Sequence, residues 1–258
     1  MPNNPPSFLT RVFAIWHRHV RVYNKFLLSN GLPPFLEPLI FLAGIGLGLG
    51  RYIPSMGGVS YVRFLASGLI ITAAMWTASF ECTFGTFIRM EFGKVYDGML
   101  AAPISVRDML ISEILWAGTK GLFFSSAVLF IMFVFRVLPV SITVLVPFVG
   151  FLTGMMFGAI SLFVTSFVRN IQYFNFFFTG FLTPMFFFSG VLFPVENLPK
   201  AVRPIAEIVP LTHSVRLSRA LCNGVFTPDL VIDLLYIVAA TFVFGYFAIK
   251  RLRRRLID

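Results

Sequence analysis

Six apolar blocks, at 35–50, 62–88, 109–135, 140–168, 171–193 and 229–249, take up most of this 258-residue chain. Each reaches or nearly reaches the roughly 20 residues that an α-helix needs to cross about 30 Å of hydrocarbon. Hydrocarbon offers the backbone no water, so blocks of this kind must satisfy their N–H and C=O groups within helices. The expected fold is therefore all-α and integral to the membrane, six transmembrane helices forming one domain over residues 1–258. Only 12% of residues are charged, against roughly 25% in soluble domains. The 33 Phe residues suit burial in lipid and by themselves indicate no ligand. The first block is the shortest. Pro33-Pro34 precedes it, Glu37 and four glycines interrupt it, and a partly unwound turn at Glu37-Pro38 stays open beside a continuous span.

Lys and Arg set the orientation. An even number of spans leaves both termini on one side. That side holds thirteen Lys and Arg, among them Arg89, Lys94 and the terminal KRLRRRL run, against seven on the other, with Lys120 inside a span. The excess puts both termini in the cytoplasm of a multi-pass protein of the cytoplasmic (inner) membrane. The net charge of +10 is then read as affinity for membrane lipid, not for nucleic acid. No apolar core followed by a small-residue cleavage site occurs in the first thirty residues, so the N-terminus is expected to stay on the mature protein.

Residues 8–27 carry Phe8, Val12, Trp16, Val20, Tyr23 and Leu27 at helical spacing, opposed by Arg11, Arg18, Arg21 and Lys25. This predicts an interfacial amphipathic helix in the headgroup plane, with His17 and His19 facing headgroups. Residues 194–228 alternate prolines with amphipathic pieces too short to span. They predict re-entrant or interfacial helices on the outer side.

No catalytic set emerges. There are no paired carboxylates, no H-E-x-x-H and no G-x-S-x-G, so no catalytic residue and no metal ligand is assigned. There is no G-x-x-x-x-G-K-[ST], so the chain is not expected to bind ATP in the P-loop manner or to hold a cofactor of its own. Cys82 lies in an apolar block and Cys222 in a polar one, which argues against a disulfide.

Charge inside the membrane is the next signal. Glu81 and Lys120 lie about 12 Å and about 18 Å from the cytoplasmic ends of their spans by helix rise. Either they pair and orient two helices, or Lys120 snorkels while Glu81 meets a hydroxyl such as Thr83 or Thr86. Gly44/Gly48 and Gly46/Gly50 have the spacing that lets helix backbones approach. The run YFNFFFTGFLTPMFFFSG, 173–190, contains Pro184, a source of bending. It packs against lipid, or it forms an aromatic wall along a substrate path, with Phe177, Phe181 and Phe187 as candidates.

Two motifs carry a family resemblance: LAAPIS at 100–105, and the series FSGVLFP…NLP…P…PLTHSVRLSRAL from Phe188 to Leu221. With the basic N-terminal helix and six spans, they resemble the ABC-2 type exporter permeases, nearest the nodulation-factor (lipo-oligosaccharide) export permeases, with drug-export permeases next. The resemblance covers nearly the whole chain. It implies a second copy of the chain, and a separate cytoplasmic ATP-binding cassette ATPase that carries ATP and Mg. It also implies that residues 91–106 form a coupling helix in a groove of that ATPase, which the N-terminal helix touches too. The helices after span five would cap the exit, and the substrate path would run between the copies near spans one, two and five.

The local residues suit such a coupling helix. Val95, Tyr96, Met99 and Leu100 give an apolar edge to seat in a groove, while Lys94, Asp97, Arg107 and Asp108 set register at its rim. Pro103 can end the helix. Ser105 can cap the third span, with Asp108 completing a box-like start. The expected function is the permease subunit of an exporter for an amphipathic substrate, a lipid-linked oligosaccharide or polysaccharide. The alternatives are efflux of a hydrophobic drug or small molecule, a membrane-embedded lipid-modifying enzyme, and a structural or assembly protein of the membrane.

Overall fold

The structure, a computed structural model, describes residues 6–26, 36 and 40–257. Nine helices in chain order organise the described residues: α1 (Phe8–Lys25), α2 (Tyr61–Phe92), α3 (Val95–Leu100), α4 (Val106–Val134), α5 (Ile142–Thr165), α6 (174–188), α7 (Arg203–Ile208), α8 (Pro210–Asn223) and α9 (Asp229–Ile257). Four of them, α2, α4, α5 and α9, are long and apolar enough to cross a membrane. The other two expected spans are less regular. Leu42–Leu47 is a π-type turn running into Gly48–Gly50, as glycine's low helix propensity favours. In α6, Pro184 lacks the N–H that would bond one turn back, and its ring crowds the carbonyl there. The helix widens into π turns over Phe178–Leu182 and resumes at Thr183–Phe188, with the Thr183 hydroxyl donating to the Phe178 carbonyl at 3.0 Å. Pro33-Pro34, Glu37-Pro38 and Leu27 lie outside the described residues.

One end of the bundle gathers α1, α3, the start of α4 and the C-terminal turns of α2, α5 and α9. Arg255 ties the last three together, donating to the Thr165 and Val168 carbonyls and pairing with Glu91 at 2.7 Å. The opposite end holds a two-residue hairpin, Ser55–Met56 with Val59–Ser60. Its turn residues Gly57 and Gly58 both have positive φ, which a tight hairpin of this twist requires. There α8 packs on α2. The Ser218 hydroxyl donates to the Ser67 carbonyl at 2.7 Å, and the Arg219 guanidinium lies 3.7 Å over the Phe64 ring. Helices α7 and α8, of 6 and 14 residues, fall in the segment where short amphipathic pieces are expected.

The tightest packing joins α4 to α5. A Cβ at Gly121 would lie 2.5 Å from the Gly150 carbonyl oxygen, and one at Gly154 would lie 2.6 Å from the Ala117 carbonyl oxygen. These backbones touch, as small-residue seams in membrane helices allow. A Cβ at Gly44 or Gly48 would meet nothing within 4 Å, so that pair serves no close approach among the described residues.

Helix α1 differs from the expected headgroup helix. Its contacts climb α4 in step: Arg11 pairs with Asp108, the Ser112 hydroxyl donates to the Val12 carbonyl, Trp16 donates to Thr119, and the Tyr23 ring meets Phe123. The helix therefore runs beside the first half of α4 and buries Val12, Ile15 and His19 there. Leu9 and Phe13 remain outward. Apolar surface that lipid was expected to cover is covered by α4 instead.

Candidate functional site

The left-handed backbone at Lys94 (φ 48°) turns the chain from α2 into the short helix α3. Of the expected apolar edge, Tyr96 is fully buried, Met99 and Leu100 are half-buried against the core, and Val95 is half-buried. Tyr96 therefore does not face a partner. The reason is its spacing: residues 96, 99 and 100 share one side of a helix under two turns long, and the chain's own core occupies that side. The exposed residues of this stretch are Phe92, Gly93, Lys94, Asp97, Gly98, Ala101, Ala102, Pro103 and Ser105. The helical part, Val95–Leu100, is also shorter than the expected 91–106. Residues up to Phe92 complete the last turn of α2, and the helix stops at Leu100, before Pro103. Ser105 caps α4 reciprocally: its hydroxyl accepts the Asp108 N–H at 3.2 Å, and Asp108 Oδ2 accepts the Ser105 N–H at 2.9 Å. Asp108 also pairs with Arg11 at 2.8 Å. Arg107 is exposed, its guanidinium 5.6 Å from the Phe8 ring centroid.

Behind α3 lies a chain of alternating charges. The Tyr96 hydroxyl donates to Glu113 Oε1 at 2.8 Å. The Arg89 guanidinium bridges Glu113 Oε2 and Glu81 Oε1, both at 2.6 Å, as only a forked donor can. Glu81 Oε2 accepts from Lys120 Nζ at 2.8 Å. Of the two arrangements open from sequence for Glu81 and Lys120, the structure has the pair. Thr83 bonds to the Ser79 carbonyl, and Thr86 approaches Glu113. Burial and the Glu113 charge push the Tyr96 phenol well above its ordinary pKa, so it stays a donor. His19 is not at the headgroups. It is buried, stacked on Trp116, with Nε2 3.4 Å from Glu113 Oε1 and making no hydrogen bond. Burial lowers its pKa more than Glu113 raises it, so the ring is neutral at pH 7 and the contact is packing rather than a salt bridge.

His19, Glu81 and Glu113 bring metal-ligand atoms within 4.8 Å of one another. Arg89 and Lys120 already neutralise both carboxylates, which leaves no net negative charge to attract a cation. Sequence alone did not assign Arg89, Glu113 or His19 to this site: Arg89 entered only in setting orientation, and His19 was expected at the headgroups. A signal existed for two of them: Arg89 follows Glu81 by eight residues and Glu113 precedes Lys120 by seven, each about two helical turns with opposite charge.

Lys120 also reaches a cavity of about 510 Å³ between Phe41, α2, α4 and α6. Leu69, Trp76, Phe124 and Phe186 make it apolar, while Thr72, Thr77 and Thr183 add hydroxyls. Of the three aromatic candidates only Phe187 lines it. Phe177 is buried, stacked on the exposed Phe181.

Comparison with known proteins gives this geometry a context. A family profile described as ABC-2 type transporter matches residues 10–222. The chain is 33% identical over 255 residues to nodulation protein J of Neorhizobium galegae, covering 97% of this chain and 96% of that protein. It is 33% identical over 212 residues to nodulation protein J of Rhizobium meliloti, covering 82% and 80%. It is 22% identical over 202 residues to the inner membrane transport permease YadH of Escherichia coli, covering 78% of each. By the extent of the profile match and the identity to relatives across nearly its full length, the chain belongs to the ABC-2 type transporter family.

Proposed function

We propose that the chain is the permease of an exporter in the inner membrane, with six spans, both termini cytoplasmic, a second copy as its partner and a cytoplasmic ATPase bound beneath. Family members are transport subunits, and ATP hydrolysis lies on a separate subunit in such systems. The cargo is amphipathic, a lipid-linked oligosaccharide or polysaccharide. The observation that carries the reading is the match over residues 10–222 to this family and to relatives named for nodulation. In this reading α1 braces the cytoplasmic half of α4, α7 and α8 re-enter from the outer side and cap the exit, and residues 94–105 are the coupling segment. Lys94, Asp97, Gly98 and Ala101 face the ATPase, with Val95, Met99 and Leu100 behind them and Arg107 at the rim. Tyr96 passes displacement of α3 to Glu113, Arg89, Glu81 and Lys120, and so to the cavity walled by α2 and α6.

Gly98 supplies the test. It is exposed, and a Cβ there would meet nothing within 4 Å. Gly98→Trp should leave the purified chain folded and monodisperse, yet abolish co-purification with its ATPase and stimulation of ATP hydrolysis. Unchanged co-purification and stimulation would overturn the coupling assignment. Stimulation of the wild-type complex by hydrophobic drugs but not by lipo-oligosaccharides would replace the cargo with the efflux alternative.

A further inference from the structure

A second groove, of about 970 Å³, lies between α4 and α9. At the end of the bundle that gathers the helix termini it carries Arg107, Lys250, Arg253 and Arg254. Further along, its walls are apolar: Leu115 from α4, Phe242 and Tyr246 from α9. From Phe242 to Arg254 the groove follows α9 for about 18 Å by helix rise, close to one leaflet, half of about 30 Å. Cations at one end and hydrocarbon-like walls one leaflet deep match the two halves of a phospholipid.

The charges point the same way. Among the described residues none of these four cations joins an ion pair, whereas Arg11, Arg89, Arg216 and Arg255 each do. The C-terminal dipole of α9 accounts for cations in its last turns. It does not account for Arg107, the second residue of α4, where the helix N-terminus disfavours a cation. Four unpaired like charges converging from two helices are relieved by a bound anion. Gly245 keeps the groove open, because a Cβ there would lie 3.3 Å from Ile114 Cδ1.

We infer that this groove binds one anionic phospholipid, its phosphate held by Arg107, Lys250, Arg253 and Arg254 and an acyl chain lying along Leu115, Phe242 and Tyr246. Assigning the lipid to the inner leaflet rests on the orientation proposed above. Occupancy does not, because it is read on the isolated chain.

The test is native mass spectrometry of the purified chain titrated with phosphatidylglycerol, with phosphatidylcholine of the same acyl chains, and with inorganic phosphate as competitor. Phosphatidylglycerol should bind about tenfold more tightly than phosphatidylcholine, and millimolar phosphate should not displace it. Arg253→Gln/Arg254→Gln should erase the preference. Gly245→Leu, which fills the groove and leaves every charge in place, should erase retention. Arg251→Gln removes a charge whose guanidinium lies 3.7 Å over the Phe167 ring, and it should change nothing. Equal binding of the two lipids by the wild-type chain overturns the inference without any variant. So does displacement by phosphate, which would mark a site for free anions, or an Arg251→Gln effect as large as that of the double variant. Loss of ATPase binding in the Gly98→Trp experiment bears on the coupling assignment and leaves this site untouched.

Discussion

Replacing Arg89 with Met removes the centre of the buried charge chain, and the structure predicts where the cost falls. Glu81 keeps Lys120 at 2.8 Å. Glu113, whose side chain is 1% exposed, keeps the Tyr96 hydroxyl at 2.8 Å and a long 3.4 Å contact from Thr86. Breaking a buried pair and stranding one charge costs about 3–5 kcal/mol. Most of that is the penalty of the stranded carboxylate, so removing the charge as well should recover much of it. Arg89→Met/Glu113→Gln leaves an amide that still accepts from Tyr96 and should cost only about 1–2 kcal/mol. Relative to Arg89→Met alone the double variant should therefore regain about 2–3 kcal/mol, and its cost should fall short of the sum of its singles, as for residues of one network. Arg89→Lys should fall between wild type and Arg89→Met, since an ammonium lacks the fork that spans two carboxylates. The assay is unfolding in mixed micelles with increasing dodecyl sulfate, followed by the fluorescence of the three tryptophans. An Arg89→Met cost below about 1 kcal/mol would refute the reasoning. So would a double variant as damaged as the sum of its singles.

Two further outcomes follow from packing and protonation. Gly121→Val should cost at least about 1–3 kcal/mol of overpacking in the same unfolding assay, because its Cβ would lie 2.5 Å from backbone, while Gly48→Ala should cost nothing; equal effects would discredit the α4–α5 seam. His19 faces Glu113, Arg89, Glu81 and Arg18, and burial holds its pKa below the ordinary value of about 6.5, so its contribution to stability is complete above about pH 6.5 and is lost as pH falls through the folded pKa; His19→Gln should flatten the stability profile below about pH 6.5, and an unchanged slope would show the ring is not held neutral.

Burial in hydrocarbon made the long helices legible, since α2, α4, α5 and α9 each needed only an apolar run of sufficient length. Ser105 and Asp108 were legible for a local reason: a cap is written within four residues. Tyr96 was misread because an apolar edge does not say which body covers it, and the covering carboxylate, Glu113, lies on another helix. His19 was missed for a similar reason, with its aromatic partner Trp116 distant in sequence. The GxxxG-like spacing was recognised at Gly44/Gly48 and passed over at Gly150, Gly154 and Gly158, where the same spacing recurs and the first two meet the backbone of α4. Spacing alone cannot distinguish them, because it is the facing helix that decides whether a missing Cβ is used.

The seam between α4 and α5 has a mechanical consequence. Where carbonyl oxygens rest against glycine backbones, rotation of one helix against the other would drive backbone into backbone, so α4 and α5 are expected to move as one body in the transport cycle proposed above. Displacement must then be carried by helices with slack in their hydrogen-bond ladders. Helix α2 carries π turns at Glu81–Gly85 and Ile88–Phe92, and α6 carries one at Phe178–Leu182, where the regular i→i−4 ladder is already interrupted. The cavity lies between these two sides, with Lys120 and Phe124 on the α4 wall and α2 and α6 on the other, so any displacement of the two helices with interrupted ladders would reshape it.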